Sequence, residues 1–88
     1  MASRNVQLTN RRGLHARASA KFVTLAAGQT ASVEVEKDGS SVCATSIMGL
    51  MMLGAAMGDT ITIRAEGDGA EQAVDALAAL VEERFGEE

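Results

Sequence analysis

The chain has 88 residues with no proline, tryptophan or tyrosine, a single histidine, a single cysteine and a formal net charge of −4. This length accommodates one domain, residues 1–88, whose modest core must be filled by aliphatic side chains, methionines, Phe22 and Phe85. The lone Cys43 excludes an internal disulfide, and one His with one Cys is too few ligands for a zinc site, so neither metal nor cofactor is expected.

Val6 and Leu8 alternate with polar neighbours and predict a first strand. Asn10 to Gly13 reads as a turn. Ala16 to Ala27 follows as a helix with Ala18, Phe22, Leu25 and Ala26 along one side, and Gly28 is expected to end it in a left-handed conformation. Ala31, Val33 and Val35 alternate as a second strand. Asp38-Gly39 predicts a tight hairpin, because both residues tolerate positive φ. A third strand is expected over Ser41 to Ala44. Thr45-Ser46 then precedes IMGLMML, a short helix with a hydroxyl cap. Gly54 and Gly58 bracket an exit loop. Ile61, Ile63 and Ala65 predict a fourth strand. Asp68, with Glu71 three residues later, resembles a capping box. Ala70, Ala73, Val74, Leu77, Leu80 and Val81 form the apolar stripe of a last helix ending near Phe85. The order β-α-β-β-α-β-α predicts an α+β domain: a four-stranded, mainly antiparallel sheet with three helices on one face.

The charge is segregated. Residues 1–33 carry Arg4, Arg11, Arg12, Arg17 and Lys21 and no carboxylate, whereas from Glu34 onward three basic residues face twelve acidic ones. The acidic balance and the shortage of aromatic side chains exclude a general nucleic-acid binder. The basic first third still offers a local patch to an acidic partner or a phosphoryl group. MASRNVQLTN lacks the apolar core of a signal peptide, and the uncharged, Gly- and Ser-interrupted stretch 44–58 is too short to span a bilayer. A cytoplasmic protein with no membrane insertion is expected.

His15 falls where the first long helix begins, a position that Ser, Thr, Asp and Asn fill better. A helix start presents unpaired N–H groups and a partial positive charge. That field and Arg17 favour the uncharged, nucleophilic imidazole. A phosphoryl group taken up by the ring would then face backbone donors and an arginine. No carboxylate lies nearby in sequence to orient the ring, although a distant one can fold in. A surface histidine without a task and a dyad with Cys43 are the alternatives that the residues leave open.

RRGLHARASAKF resembles the phosphorylation-site segment of HPr, the histidine phosphocarrier of the phosphoenolpyruvate-dependent phosphotransferase system. The family run Gly-Leu-His-x-Arg-Pro appears as Gly13-Leu14-His15-Ala16-Arg17-Ala18, and the likeness continues through Ser46-Ile47, Leu53-Gly54, Gly58 and Ala65-Glu66-Gly67. The resemblance implies an open-faced β-sandwich in which His15 accepts the phosphoryl group from enzyme I and yields it to an enzyme IIA protein, with Arg17 beside it. Such a carrier is a co-substrate rather than an enzyme and is expected to be a monomer. Ala18 departs from the family proline, which puts the rigidity of the helix start in question more than the chemistry.

IMGLMML is apolar all round, so part of Ile47, Met48, Met51 and Met52 is expected to remain exposed. They either fill irregular gaps in the core or form a docking patch. The resemblance favours docking, with Arg11, Arg12, Arg17, Ala18 and Lys21 at its border. The run Ser46-Ile47-Met48 through Met51-Met52-Leu53 is similar to the nitrogen-related branch, NPr. Ser46 is a helix cap, and the resemblance adds a regulatory role, because a dedicated kinase phosphorylates the matching serine in many relatives. The alternative function is a regulatory binding module that controls a kinase or transcription factor through its phosphorylation state. The downstream pathway, sugar uptake or nitrogen regulation, is not legible.

Overall fold

The computed structural model describes residues 1–87. Its elements are β1 (Ala2–Gln7), α1 (Ala16–Ala27), β2 (Ser32–Lys37), β3 (Ser40–Cys43), α2 (Ile47–Met52), β4 (Thr60–Glu66) and α3 (Ala70–Glu82), followed by one tight turn, Arg84–Gly86. The strands lie in the order β1-β4-β2-β3, and every pairing is antiparallel. In the register, Val6 stands opposite Ile61 and Val35 opposite Ile63.

The alternation seen in the sequence sets the two faces of the sheet. Val6, Val33, Val35, Ile61, Ile63 and Ala65 are buried on one side. On the other, Thr62 donates to Asn5, and Arg64 pairs with Glu36. The helices cover the apolar face. α3 packs on β1, β4 and β2, and α1 packs against both α2 and α3. Phe22, Leu50, Leu77 and Val81 are fully enclosed between these layers. Asp38 and Gly39 both have positive φ, 51° and 84°, as the hairpin reading requires.

Two expected helix ends take other forms. Gly28 closes α1 at φ −81°, a right-handed conformation. The glutamine after it supplies the cap: its side-chain Nε2 donates to the Leu25 carbonyl at 3.1 Å and its backbone N–H to the Ala26 carbonyl at 3.1 Å. With the last carbonyls satisfied in this way, no left-handed residue is needed. The capping box at Asp68 is also absent. Gly69 is the N-cap of α3, at φ +78°, and no side chain caps it. Asp68 is displaced by one position and uses its carbonyl instead, accepting from Thr30 Oγ1 at 2.8 Å. Glu71 remains in the first turn, where its charge suits the helix dipole. Leu25 and Leu80, expected on the apolar faces, are partly exposed in a groove between α1 and α3. Leu8 is fully buried just past the end of β1.

Candidate functional site

The loop between β1 and α1 is held by its glycine. Gly13 has φ +62°, and a Cβ there would stand 2.3 Å from the Ala55 carbonyl oxygen and 2.7 Å from Ala56 Cα. The close approach lets Leu14 donate its N–H to that same carbonyl at 3.0 Å. Leu14 is buried, and Ser19 Oγ donates to its carbonyl at 3.1 Å. His15 then enters the helix as its N-cap, with extended backbone (φ −75°, ψ 179°) and its carbonyl accepting from the Ser19 N–H at 2.8 Å.

The imidazole performs the task usually given to Ser or Asp. Its Nδ1 accepts from the Arg17 backbone N–H at 3.3 Å. A backbone N–H can only donate, so Nδ1 carries the lone pair and the ring proton of the neutral form is on Nε2. Nε2 meets a carboxylate: Glu87 Oε2 at 2.8 Å and Oε1 at 3.1 Å. About a fifth of each side chain is open to solvent, 19% for His15 and 18% for Glu87.

Glu87 reaches this place from the far end of the chain. Phe85 is buried, and Lys21 Nζ donates to its carbonyl at 2.6 Å. Arg84, Phe85 and Gly86 all have positive φ, 59°, 56° and 77°, which turns the chain back over α1. For the two non-glycine residues this costs about 1–2 kcal/mol each. Asn10, fully buried, donates from Nδ2 to both the Gly13 carbonyl (2.9 Å) and Glu87 Oε1 (3.0 Å), and its own Oδ1 is left buried without a partner. Reversing the amide would set its oxygen against two acceptors, so the contacts settle its orientation. The Asn10 amide, and after it the His15 ring and the charge of Lys21, hold the Glu87 carboxyl below the usual carboxylate range against its partial burial. At neutral pH Glu87 is therefore an anion, opposite in sign to the influence of Arg17 and the helix end.

Arg11, Arg12, Arg17 and Lys21 are all exposed around this site. Arg11 lines a cleft with Thr9, Met57 and Arg84. Ala18 is fully buried, so it belongs to the core rather than to the docking surface expected from the sequence. Its place in the first turn of α1, facing inward, explains why a small residue serves there. Ser46 caps α2 by accepting the Gly49 N–H at 3.0 Å. Beside it Ile47, Met48, Met51 and Met52 are 40%, 68%, 42% and 79% exposed, whereas Leu50 is enclosed. Met57, which the sequence did not single out, is exposed as well. Cys43 pairs with Thr45 Oγ1 at 3.0 Å on the edge strand, while His15 is engaged by Arg17 and Glu87, which removes the dyad alternative.

An open antiparallel sheet with helices on one face, its first helix capped by an imidazole, defines a small α+β domain built to present one histidine. Residues 2–83 match the family described as the PTS HPr component phosphorylation site. The phosphocarrier protein HPr of Cupriavidus necator is 46% identical over 87 residues, covering 99% of this chain and 98% of that protein. The phosphocarrier protein NPr of Shewanella violacea is 40% identical over 84 residues, covering 96% and 92%. Among solved structures, HPr-C-His from Thermoanaerobacter tengcongensis superposes with a TM-score of 0.96 at 44% identity, covering 100% of this chain and 99% of that one. The chain belongs to the HPr family. Among the described residues no helix is long and apolar enough to cross a membrane.

Proposed function

We propose that the protein is a cytoplasmic phosphoryl carrier, active as a single chain, that accepts a phosphoryl group on His15 Nδ1 from enzyme I and yields it to an enzyme IIA protein. One observation carries the reading: the Arg17 N–H points at Nδ1, so the nucleophilic nitrogen lies at the positive end of α1. In the transfer, the Nδ1 lone pair attacks phosphorus and the P–N bond to the donor histidine breaks. The bonding electrons leave with the donor ring. The transferred oxygens then meet the first-turn N–H groups and the Arg17 guanidinium. The chain acts as a co-substrate, not as an enzyme.

The exposed surface of Ile47, Met48, Met51 and Met52 supplies the apolar part of the docking face, and Met57 extends it. Arg11, Arg12, Arg17 and Lys21 supply the charge that steers an acidic partner. Ser46 is the regulatory position, read by a dedicated kinase. A phosphate there adds roughly two negative charges beside that apolar surface and opposes an acidic partner. Incubation with phosphoenolpyruvate and enzyme I, followed by intact mass measurement, tests the carrier reading. Wild type gains one acid-labile phosphoryl group and His15→Ala gains none. Equal labelling of the two proteins would place the chemistry elsewhere.

A further inference from the structure

Nothing in the phosphoryl acceptance described so far uses the carboxylate on the far side of the ring. Glu87 Oε2 lies 2.8 Å from Nε2, across the imidazole from the nucleophilic Nδ1, so it leaves the attacking lone pair untouched. Considerable structure is spent on bringing it there. Asn10 gives up a partner for its own oxygen while it grips Glu87 Oε1, two non-glycine residues sit at positive φ, and Lys21 anchors the Phe85 carbonyl. A chain end ordered at this expense is a candidate for function rather than for stability alone.

We propose that Glu87 is a positioning residue for phosphoryl transfer: its carboxylate keeps the ring proton on Nε2 and balances the charge that appears on the imidazole when Nδ1 takes the phosphoryl group. The inference rests on the carrier reading above and deepens it. The neutral ring begins with its proton on Nε2. As Nδ1 bonds to phosphorus, the ring acquires a formal positive charge shared between both nitrogens. A carboxylate at hydrogen-bond distance stabilises that charge as it develops, as the buried aspartate does for the imidazolium of a serine-protease triad. In the onward step the next acceptor attacks phosphorus, the P–N bond breaks, and the electron pair returns to Nδ1. Because Nε2 has kept its proton, the ring departs as neutral imidazole. A ring that had lost that proton to solvent would have to depart as an anion, a far poorer leaving group. The carboxylate therefore serves both the loading and the unloading of the carrier.

Among the described residues, the titratable groups facing Glu87 are His15 and Lys21, both on the α1 side, and Asn10 adds an uncharged amide. Glu87→Gln keeps the length of the side chain and an oxygen for Nε2–H but removes the charge. Phe85, which packs the turn into the core, is untouched. Two readouts follow. Proteins phosphorylated chemically with phosphoramidate are titrated by 31P and 15N NMR. The label is expected on Nδ1, and the midpoint at which the phosphorylated ring loses its Nε2 proton is expected about one pH unit lower in Glu87→Gln than in wild type. With enzyme I, the variant should show kcat for phosphoryl acceptance reduced about 3- to 10-fold, the difference between a charge-assisted and a neutral hydrogen bond, at unchanged KM. Coincident midpoints, a label on Nε2, or faster acceptance by the variant would each overturn the role of Glu87. Because the titration needs no enzyme I, a wild type that enzyme I cannot label but whose midpoint exceeds that of Glu87→Gln sinks the carrier reading alone. A wild type that enzyme I labels, with midpoints that coincide, sinks the Glu87 role alone.

Discussion

Gly13→Ala strikes the joint that sets His15 at the mouth of α1. The residue lies at φ +62°, which adds about 1–2 kcal/mol for any L side chain. Its new Cβ would fall 2.3 Å from the Ala55 carbonyl oxygen and 2.7 Å from Ala56 Cα, and both obstacles are backbone. The two loops must separate, and overpacking of this kind costs about 1–3 kcal/mol. Separation also breaks the 3.0 Å bond from the Leu14 N–H to Ala55, a further loss of about 1 kcal/mol. The expected destabilisation is about 3–6 kcal/mol, a large share of what a domain of this size holds. Urea unfolding followed by circular dichroism measures it directly, and the melting temperature should fall by roughly 15 °C or more. Phosphoryl acceptance should fall further than the folded fraction does, since Leu14 and His15 move with the loop. A variant within about 1 kcal/mol of wild type would show that the loop contact does not fix the histidine.

Ala18→Pro should leave phosphoryl acceptance intact and change stability by no more than about 1 kcal/mol, because proline suits the first turn of a helix and the position faces inward; a denaturation curve and a labelling assay check both halves. Met48→Asp and Met52→Asp alter side chains 68% and 79% exposed, so melting should hardly change while affinity for enzyme I, read by calorimetry, drops about tenfold or more. Ser46→Ala removes the acceptor of the Gly49 N–H and should cost about 1 kcal/mol, whereas Ser46→Asp keeps an acceptor but weakens docking, and equal docking of Ser46→Asp and wild type would remove the regulatory reading. The Glu87 carboxyl is held below its usual value of 4.5 in the folded chain, so its contribution to stability is fully present above that pH and is lost as pH falls through the lowered value. The melting temperatures of wild type and Glu87→Gln should accordingly differ at pH 7 and converge once the pH has fallen below that lowered value; a constant difference would contradict the contribution of the carboxylate's hydrogen bonds.

Most of the architecture is legible because it repeats locally. Ile61, Ile63 and Ala65 show the inward face of a central strand by alternation alone, and Asp38-Gly39 names its own turn. The helix ends were less legible, since Gly28 and Asp68 are replaced in their roles by Gln29 and Gly69 through contacts made only in the folded chain. The same distinction divides the site. His15 and Arg17 are two residues apart, so the capping geometry follows from their spacing. Glu87 is separated from His15 by 72 positions, and no period or motif connects them. Its signal is tertiary: the buried Phe85 and the left-handed turn that carry the chain end back across α1. Ala18 shows the opposite error, where adjacency to the histidine suggested surface and burial placed it in the core.

A single spectrum addresses the central claim, that the Nδ1 lone pair at the start of α1 receives the phosphoryl group. Uniformly 15N-labelled protein, phosphorylated by enzyme I and phosphoenolpyruvate, should show 31P–15N coupling to Nδ1 of His15, with Nε2 still bearing its proton. Coupling to Nε2, or a phosphoryl signal attached to any other residue, would contradict the account.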